Sequence, residues 1–164
     1  MIFNDEDLHQ LISTGMIENL CDPSKQVTPN GIDLTLKKVE KFIGSGTLDF
    51  TNELRKLSPT EEIPFMNDWV DLSQGCYKVT FNEIVTIPKD AIALARPRSS
   101  LLRSGATIES AVWDAGFRGV SMSLLIVYNP HGISLQRNAR LIQLIFVKMS
   151  RKAQKTYKGV YQED

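Results

Sequence analysis

Short stretches of alternating hydrophobic and polar residues recur along most of the chain. In the first of them, Ile32, Leu34 and Leu36 alternate with Asp33 and Thr35, which is the pattern of a strand with one buried face. Further short apolar runs follow, each bounded by Pro, Gly, Asn or Asp: 77–81, 84–87, 91–95, 108–112, 121–128 and 141–147. Short strands at such close spacing predict an all-β barrel or sandwich.

The N-terminal segment has helical spacing instead. Asn4 can cap a helix whose first turn holds three acidic residues, and Leu8, Leu11 and Ile12 then recur about one turn apart. Gly15 is the expected end of this helix. The pattern therefore adds a short N-terminal helix to the predicted β fold.

Two segments lack a sustained period of either kind. Residues 22–31 predict a loop, and residues 43–75 predict long loops with short strands, because Gly, Pro, Ser and acidic residues interrupt them. No repeat and no linker divides the sequence, so residues 1–164 are expected to form a single domain. The polar stretch from about residue 148 to residue 164 is expected to be a mobile arm.

Composition places the chain among ordinary globular proteins. Of its 164 residues 42% are hydrophobic and 23% charged, which excludes disordered and fibrous classes. No apolar stretch approaches the ~18 residues of a membrane span, and the acidic start is unlike a secretory signal. We therefore expect a cytoplasmic protein with no membrane partner. Cys21 and Cys76 lack metal or redox spacing and are expected to be reduced thiols.

Charge is distributed unevenly, although 19 basic and 19 acidic side chains cancel. Residues 1–82 carry 7 basic and 13 acidic groups, a balance of −6, whereas residues 83–164 carry 12 and 6, a balance of +6. A nucleic-acid polymer would call for a more uniformly basic protein. One cationic region in a neutral chain fits a small polyanion better.

The segment 95–119 is rich in groups that bind anions. Arg98 and Arg103 bracket Ser99 and Ser100. An arginine offers a planar fork of donors to phosphate oxygens, and serine hydroxyls can complete such a shell. On its own, however, this motif favours a plainer interpretation, a solvated turn whose arginines form surface ion pairs.

Asp114 follows an apolar run and precedes Ala115 and Gly116. A carboxylate at the end of a strand, beside a glycine that lets a ligand approach the backbone, suits a group that positions a water molecule. An aspartate that accepts hydrogen bonds from turn amides is a common alternative. The residues alone leave both interpretations open.

Five segments of the chain, taken together, carry a resemblance to a known family. They are TPNGIDLTL (28–36), PRSSLLRSG (97–105), AVWDAGFRG (111–119), ARLIQLIF (139–146) and YKGVYQ (157–162). In this order they resemble the trimeric dUTPase and dCTP deaminase superfamily, and its archaeal dUTPases in particular. The resemblance implies a β-clip, or distorted jelly-roll, fold, a homotrimer with active sites between subunits, and a C-terminal arm that closes over the nucleotide.

The resemblance also assigns roles to individual residues. Asp114 corresponds to the aspartate that activates the attacking water, Gln143 to a phosphate-contacting glutamine, and Asp33 to an aspartate of architectural importance. The expected triphosphate-binding residues are Arg98, Ser99, Ser100 and Arg103, the expected base-reading residues are Ser110, Ala111 and Val112, and the closing segment contributes Tyr157, Lys158 and Gln162. No protein ligand for a metal is implied, because Mg²⁺ is expected on the triphosphate.

The strand after the Gly116–Phe117 turn distinguishes the two activities of the superfamily. Deaminases carry a glutamate there that moves protons during attack on the cytosine ring, whereas residues 120–129 contain no Glu, Asp or His. Deamination therefore lacks its general acid–base residue, while Asp114 is present for hydrolysis. We accordingly expect a dUTP diphosphatase that forms dUMP and pyrophosphate with Mg²⁺. The alternatives are a dCTP deaminase, a bifunctional deaminase and dUTPase, and a nucleotide-binding relative without activity.

Overall fold

Strands dominate the structure, a computed structural model that describes residues 1–155, 157 and 159. Within this part of the chain, strands β1 to β11 cover Ile17–Glu18, Val27–Thr28, Gly31–Phe42, Thr60–Glu62, Trp69–Leu72, Gly75–Thr86, Ala91–Pro97, Ala106–Glu109, Arg118–Val127, Ile133–Gln136 and Arg140–Lys148. Helices α1 to α3 cover Asp5–Ser13, Pro23–Gln26 and Ser99–Arg103. The predicted all-β class with an N-terminal helix is confirmed.

One large antiparallel sheet forms the body of the molecule. Its strands follow the order β7-β11-β3-β6-β9-β8, with β1 paired to β6 and both β2 and β4 paired to β3. Beyond β8 the chain returns to the opposite end of this order, because Trp113 forms an antiparallel bridge with Ala93 of β7. The two backbone hydrogen bonds of the bridge measure 3.0 Å. The sheet therefore nearly closes into a barrel, beside which β5 and β10 form a separate two-stranded sheet.

The core lies inside this nearly closed sheet. It consists of aliphatic side chains together with Phe81 and Phe146, both fully buried. On β9 the alternation of a strand is clear, since Ser121, Ser123 and Leu125 are buried while the residues between them are partly or fully exposed. One face of β9 therefore packs in the core, and the other faces outward.

The N-terminal helix begins and ends as predicted. The Asn4 side chain accepts a hydrogen bond from the Asp7 backbone, and the Asp7 side chain accepts one from Asn4, which forms a capping box. After Thr14, Gly15 adopts a φ of +71° and ends the helix. The described residues contain no helix that is both long and apolar enough to cross a membrane. Both cysteines, Cys21 and Cys76, are free thiols, and both are exposed.

The structure corrects three sequence predictions. The runs 77–81 and 84–87 belong to one strand, β6, whose pairing with β9 is interrupted between Thr80 and Ile84. Here Glu83 turns into the core and accepts the backbone N–H of Thr35, so a side chain replaces a ladder hydrogen bond. The predicted loop 22–31 contains α2 and β2, and the strand predicted over 108–112 is β8, which ends at Glu109.

Candidate active site

The expected anion-binding residues lie at the junction of β7 and α3. Arg98 is the N-cap residue of the short helix α3; its backbone is extended, and its side chain makes no capping hydrogen bond. Helix α3 exposes three of the expected residues, Ser99, Ser100 and Arg103. Their side chains form no hydrogen bond within the described part of the chain. These hydroxyl and guanidinium donors are available to a ligand.

A buried carboxylate positions two arginines beside α3. The side chain of Asp33, on β3, is only 3% exposed, and its Oδ2 lies 2.9 Å from Nε of Arg98 and 3.4 Å from Nη1 of Arg140. Burial raises the pKa of the Asp33 carboxyl above its ordinary value, and the two guanidinium groups oppose that shift. Sequence reasoning did not single out Arg140, although it belongs to the segment ARLIQLIF on which the family resemblance rests.

Gln143 lies on the same side of the sheet as this ion pair. In the strand register Gln143 of β11 is directly opposite Asp33 of β3 and Arg96 of β7, and directly opposed residues share a face. Its amide donates a hydrogen bond to the Thr28 hydroxyl. Gly31 allows this close approach, because a Cβ there would lie 2.8 Å from Cγ of Gln143. The residues around α3, namely Arg98, Ser99, Ser100, Arg103, Arg140 and Gln143, are called the α3 cluster below.

Asp114 begins a tight turn that leaves its carboxylate in solvent. The Phe117 N–H donates to the Asp114 carbonyl at 3.0 Å, and Gly116 has a φ of +83°, as the third position of a type II turn requires. Two backbone hydrogen bonds to Ile87 fix this turn against the end of β6. Among the described residues none donates to the Asp114 carboxylate. The structure therefore does not support the interpretation that Asp114 serves its own turn amides.

Asp114 stands at the edge of an open cleft of about 390 Å³. The cleft, called the Asp114 cleft below, is lined by Ala111, Val112, Trp113, Asp114, Phe117, Val120, Ser121, Met122 and Tyr157. Its lining is mostly apolar, which suits a planar ring. The prediction placed Ser110 here as well, but Ser110 is half-buried and is not part of the lining. Sequence reasoning missed Phe117, Val120 and Met122, although alternation along β9 could have identified the last two.

A second hollow meets the cleft at Asp114. It has a volume of about 310 Å³ and is lined by Ile92, Asp114, Ala115, Met149, Ala153, Lys155 and Tyr157. Asp114 and Tyr157 thus stand between an apolar cleft and a hollow with a cationic side chain on its wall. This arrangement would allow a ligand with an apolar ring and an anionic chain to pass the Asp114 carboxylate.

Tyr157 lies at the Asp114 cleft of its own chain. Its backbone N–H donates to the Ala115 carbonyl at 2.9 Å, and its ring packs edge-on against Phe117 with a centroid distance of 5.5 Å. The expected closing residues Lys158 and Gln162 lie outside the described residues. Tyr157 is therefore the predicted closing residue that can be placed, and it lines the cleft beside Asp114.

No acid projects from the cleft side of β9. The outward residues of this strand that line the cleft are Val120 and Met122, and the next two outward residues, Leu124 and Ile126, are apolar as well, while Arg118 at the start of the strand pairs with Glu18. Ser121 and Ser123 occupy the buried face instead. A deaminase glutamate on β9 would have to project from this outward face to reach a base in the cleft, and the face carries no glutamate.

The α3 cluster and the Asp114 cleft lie at opposite ends of β7. Ala93 bridges to Trp113 next to Asp114, whereas Arg98 lies five residues further along. At ~3.3 Å per residue the backbones of Ala93 and Arg98 are roughly 16 Å apart along the strand. The structure therefore places the predicted catalytic and base-reading residues in one group and the predicted phosphate-binding residues in another. No three His, Cys, Asp or Glu residues of the described part of the chain could together hold a metal ion.

The chain is similar to known proteins over nearly its whole length. Residues 2–149 match a family model described as dCTP deaminase-like. A probable deoxyuridine 5'-triphosphate nucleotidohydrolase of Methanosarcina mazei is 46% identical and covers 99% of this chain and 97% of its own length. The deoxyuridine 5'-triphosphate nucleotidohydrolase of Methanocaldococcus jannaschii is 38% identical, with 91% and 94% covered.

Among solved structures, the chain is similar to the 2'-deoxycytidine 5'-triphosphate deaminase of Agrobacterium tumefaciens. The TM-score is 0.67 at 25% sequence identity, with 88% of this chain covered. The match spans about half of the deaminase chain, namely 47%. Similarity thus extends to relatives with either activity, and the residues of the cleft must distinguish between them.

Proposed function

The chain belongs to the dCTP deaminase-like family, and we propose that within this family it hydrolyses dUTP to dUMP and pyrophosphate. The relatives that match nearly its whole length are named as deoxyuridine triphosphate nucleotidohydrolases. The observation that carries the choice is the pairing of an unengaged Asp114 carboxylate at the mouth of the cleft with the apolar outward residues Val120 and Met122, which β9 contributes to the cleft lining.

Asp114 is the proposed general base. A water molecule bound to its carboxylate attacks the α-phosphorus, so that a bond forms between the water oxygen and phosphorus while the bond from the α-phosphorus to the bridging oxygen breaks. Pyrophosphate leaves with the electrons of that bond, and the proton of the water passes to Asp114 and then to solvent. The exposed position of Asp114 allows water to reach it.

Base selection is assigned to the segment between β8 and the Asp114 turn. Ala111 and Val112 line the cleft, and the backbone groups of residues 110–112 are the expected partners of the uracil edge. Uracil and cytosine differ at the fourth ring position, where one has an acceptor and the other an amino donor. A backbone N–H that pairs with uracil is left without a partner by cytosine, which disfavours the wrong base.

The α3 cluster is the proposed triphosphate site. Ser99, Ser100 and Arg103 present unengaged donors, and Gln143 lies opposite Asp33, the partner of Arg98. Mg²⁺, when bound to the triphosphate, would neutralise phosphate charge and favour departure of pyrophosphate. Asp33, the carboxylate beside this cluster, is already paired with two arginines, which fits an ion carried by the phosphates rather than by the protein.

Assembly into a homotrimer with sites between subunits is part of the proposal. Along β7 the backbone of Arg98 lies roughly 16 Å from that of Ala93, the bridge partner of Trp113, so the Asp114 turn and α3 of one chain are separated along the strand. A neighbouring copy that presents its α3 cluster to the Asp114 cleft would complete the site. Tyr157 contributes to the cleft from the same chain as Asp114, and Lys158 and Gln162 remain expected closing residues.

The deciding experiment separates products from dUTP, dCTP and dTTP, each incubated with the protein and Mg²⁺. We expect dUMP and pyrophosphate from dUTP and no turnover of the other two. Formation of dUTP or dUMP from dCTP would identify a deaminase or a bifunctional enzyme. Tight binding without any product would identify the binding protein without activity.

A further inference from the structure

We propose that the hydrogen bond between Trp113 and Ser121 holds Asp114 and the base-reading segment in place, which makes Ser121 a positioning residue of the site. The inference rests on the proposed hydrolysis of dUTP for its catalytic consequence. Its structural basis is independent of that activity, because it concerns how one buried tryptophan orients the residues on either side of it.

Trp113 is held from its backbone and from its ring. Its backbone exchanges two hydrogen bonds of 3.0 Å with Ala93, and its indole Nε1 donates to Oγ of Ser121 at 2.7 Å. Both side chains are buried, with exposures of 6% for Trp113 and 3% for Ser121. The backbone bridge fixes the path of the chain, and the indole hydrogen bond fixes the orientation of the ring on the barrel.

The orientation of Trp113 determines that of its neighbours. Successive side chains of an extended segment point to opposite sides. Trp113 is buried, whereas Val112 and Asp114 are exposed, and all three residues line the cleft. A rotation or shift of Trp113 would move the proposed base and one wall of the base pocket together.

Ser123 provides a matched comparison on the same strand. It lies two residues beyond Ser121 on the buried face and is 7% exposed, yet its Oγ has no hydrogen-bond partner among the described residues. The two serines therefore share strand, face and burial. They differ in that the Ser121 hydroxyl accepts the indole N–H of Trp113 and that Ser121 also belongs to the cleft lining, so Ser123→Ala controls for loss of a buried hydroxyl and Ser121→Thr for loss of the acceptor.

The test compares kcat and KM for dUTP among Ser121→Ala, Ser121→Thr and Ser123→Ala. We expect Ser121→Ala to lower kcat on the order of tenfold or more, because a small misplacement of a catalytic group has a large effect on rate, with a smaller change in KM. Ser121→Thr keeps an acceptor and is expected to restore most of the loss. Ser123→Ala is expected to retain the wild-type constants.

A double-mutant cycle ties the effect to the hydrogen bond itself. Trp113→Phe removes the donor, so Ser121→Ala should have little further effect on kcat in that background. Fully additive losses would overturn the proposal. An unchanged kcat in Ser121→Ala, or an equal loss in Ser123→Ala, would overturn it as well.

Binding measurements keep this test separate from the fate of the proposed function. Titration with the α,β-imido analogues of dUTP and dCTP gives two dissociation constants that require no turnover. We expect Ser121→Ala to lower the preference for the uracil analogue several-fold while its thermal unfolding stays cooperative, and Ser121→Thr to recover the preference. If wild type fails to hydrolyse dUTP but shows this change, the proposed function is wrong and the positioning role stands. An unchanged preference in Ser121→Ala contradicts the positioning role.

Discussion

At the scale of single residues, the proposed hydrolysis of dUTP depends on Asp114. Its carboxylate is exposed, has no donor among the described residues, and stands at the edge of the cleft. Asp114→Asn retains the shape of the side chain but cannot accept a proton. We expect kcat for dUTP to fall by about 10²–10⁴, with the affinity for an imido analogue of dUTP nearly unchanged.

Glu109→Gln is the matched control for Asp114. Glu109 is an exposed carboxylate on β8, directly opposite Leu124 in the strand register, and the proposed reaction does not use it. Its neutralisation should leave kcat within about twofold of wild type. A comparable loss of dUTP hydrolysis in Glu109→Gln, or full activity in Asp114→Asn, would remove Asp114 from its proposed role.

Glu83 is a second carboxylate whose surroundings lead to a prediction. It is fully buried and accepts hydrogen bonds from the Thr35 backbone at 2.9 Å and from Gln26 Nε2 at 2.7 Å. Burial raises its pKa above the ordinary value despite these donors. A raised pKa means that the folded protein binds the proton more tightly than the unfolded chain does. The contribution of Glu83 to stability is therefore greatest at low pH and declines as pH rises through the raised pKa.

Glu83→Gln isolates this contribution. The free energy of unfolding of wild type minus that of the variant should fall as pH rises from about 4 and then level off, by about 1.4 kcal/mol for each unit by which burial raises the pKa. Urea unfolding at a series of pH values measures it. A difference that grows with pH would contradict the prediction, and Glu53→Gln, an exposed site, should show no comparable trend.

At the scale of elements, the contact between β3 and β11 determines where Gln143 lies. A Cβ on Gly31 would lie 2.7 Å from the Leu144 carbonyl oxygen as well as 2.8 Å from Cγ of Gln143. The carbonyl belongs to a strand ladder and cannot move alone. Gly31→Ala should therefore separate the two strands locally, lower stability by about 1–3 kcal/mol, and displace Gln143.

The effect of Gly31→Ala on substrate binding can be separated from its effect on folding. We expect KM for dUTP to rise several-fold, measured beside the thermal midpoint. If the rise in KM acts through Gln143, adding Gly31→Ala to the Gln143→Ala variant should lower stability again but leave KM at the value of Gln143→Ala alone. A further rise of KM in the double variant would place the effect elsewhere in the α3 cluster.

How far the sequence predicts these elements depends on the length of the pattern. The alternation at Ile32 to Leu36 identified the first part of β3, and the helical spacing after Asn4 identified α1, because each pattern spans more than one period. The predicted exposed face of that strand was wrong, since Asp33 and Thr35 are buried as well. Helix α2 has four residues, too few for a helical period, although Asp22 before Pro23 is a start signal that could have been used. The break in β6 at Glu83 was not predictable, since it depends on an acceptor for Thr35 from a distant strand.

The site residues show the same contrast between local motifs, which the sequence reveals, and contacts between distant strands, which it does not. The motif residues Arg98, Arg103 and Asp114 were identified from their chemistry and order, and the structure places each where a ligand can reach it. The partner of Arg98 was not predicted, because Asp33 is 65 positions away in sequence and meets it only through the pairing of β3 and β7 with β11. The bond from Trp113 to Ser121 was missed because a serine in an apolar run gives no sign of its partner.

At the scale of the whole molecule, the separation of the α3 cluster from the Asp114 cleft makes assembly testable through activity. In the proposed trimer each site takes Asp114 from one copy and Arg103 from its neighbour. Asp114→Asn and Arg103→Ala homotrimers should both have low activity, because every site in each of them lacks one half. Chains of both kinds in one trimer should restore some sites, since a copy with intact Asp114 can lie beside a copy with intact Arg103.

Co-expression of the two variants with different affinity tags, followed by two-step purification, yields mixed trimers. Each mixed trimer, with two copies of one variant and one of the other, contains one site of its three with both intact halves, so about a third of wild-type dUTP hydrolysis is expected from the purified mixed trimers. Mixing the separately purified variants without exchange of subunits should give no such gain. If each chain instead builds its site alone, co-expression cannot exceed the mean of the two parent activities, and that result would exclude a site shared between neighbouring copies.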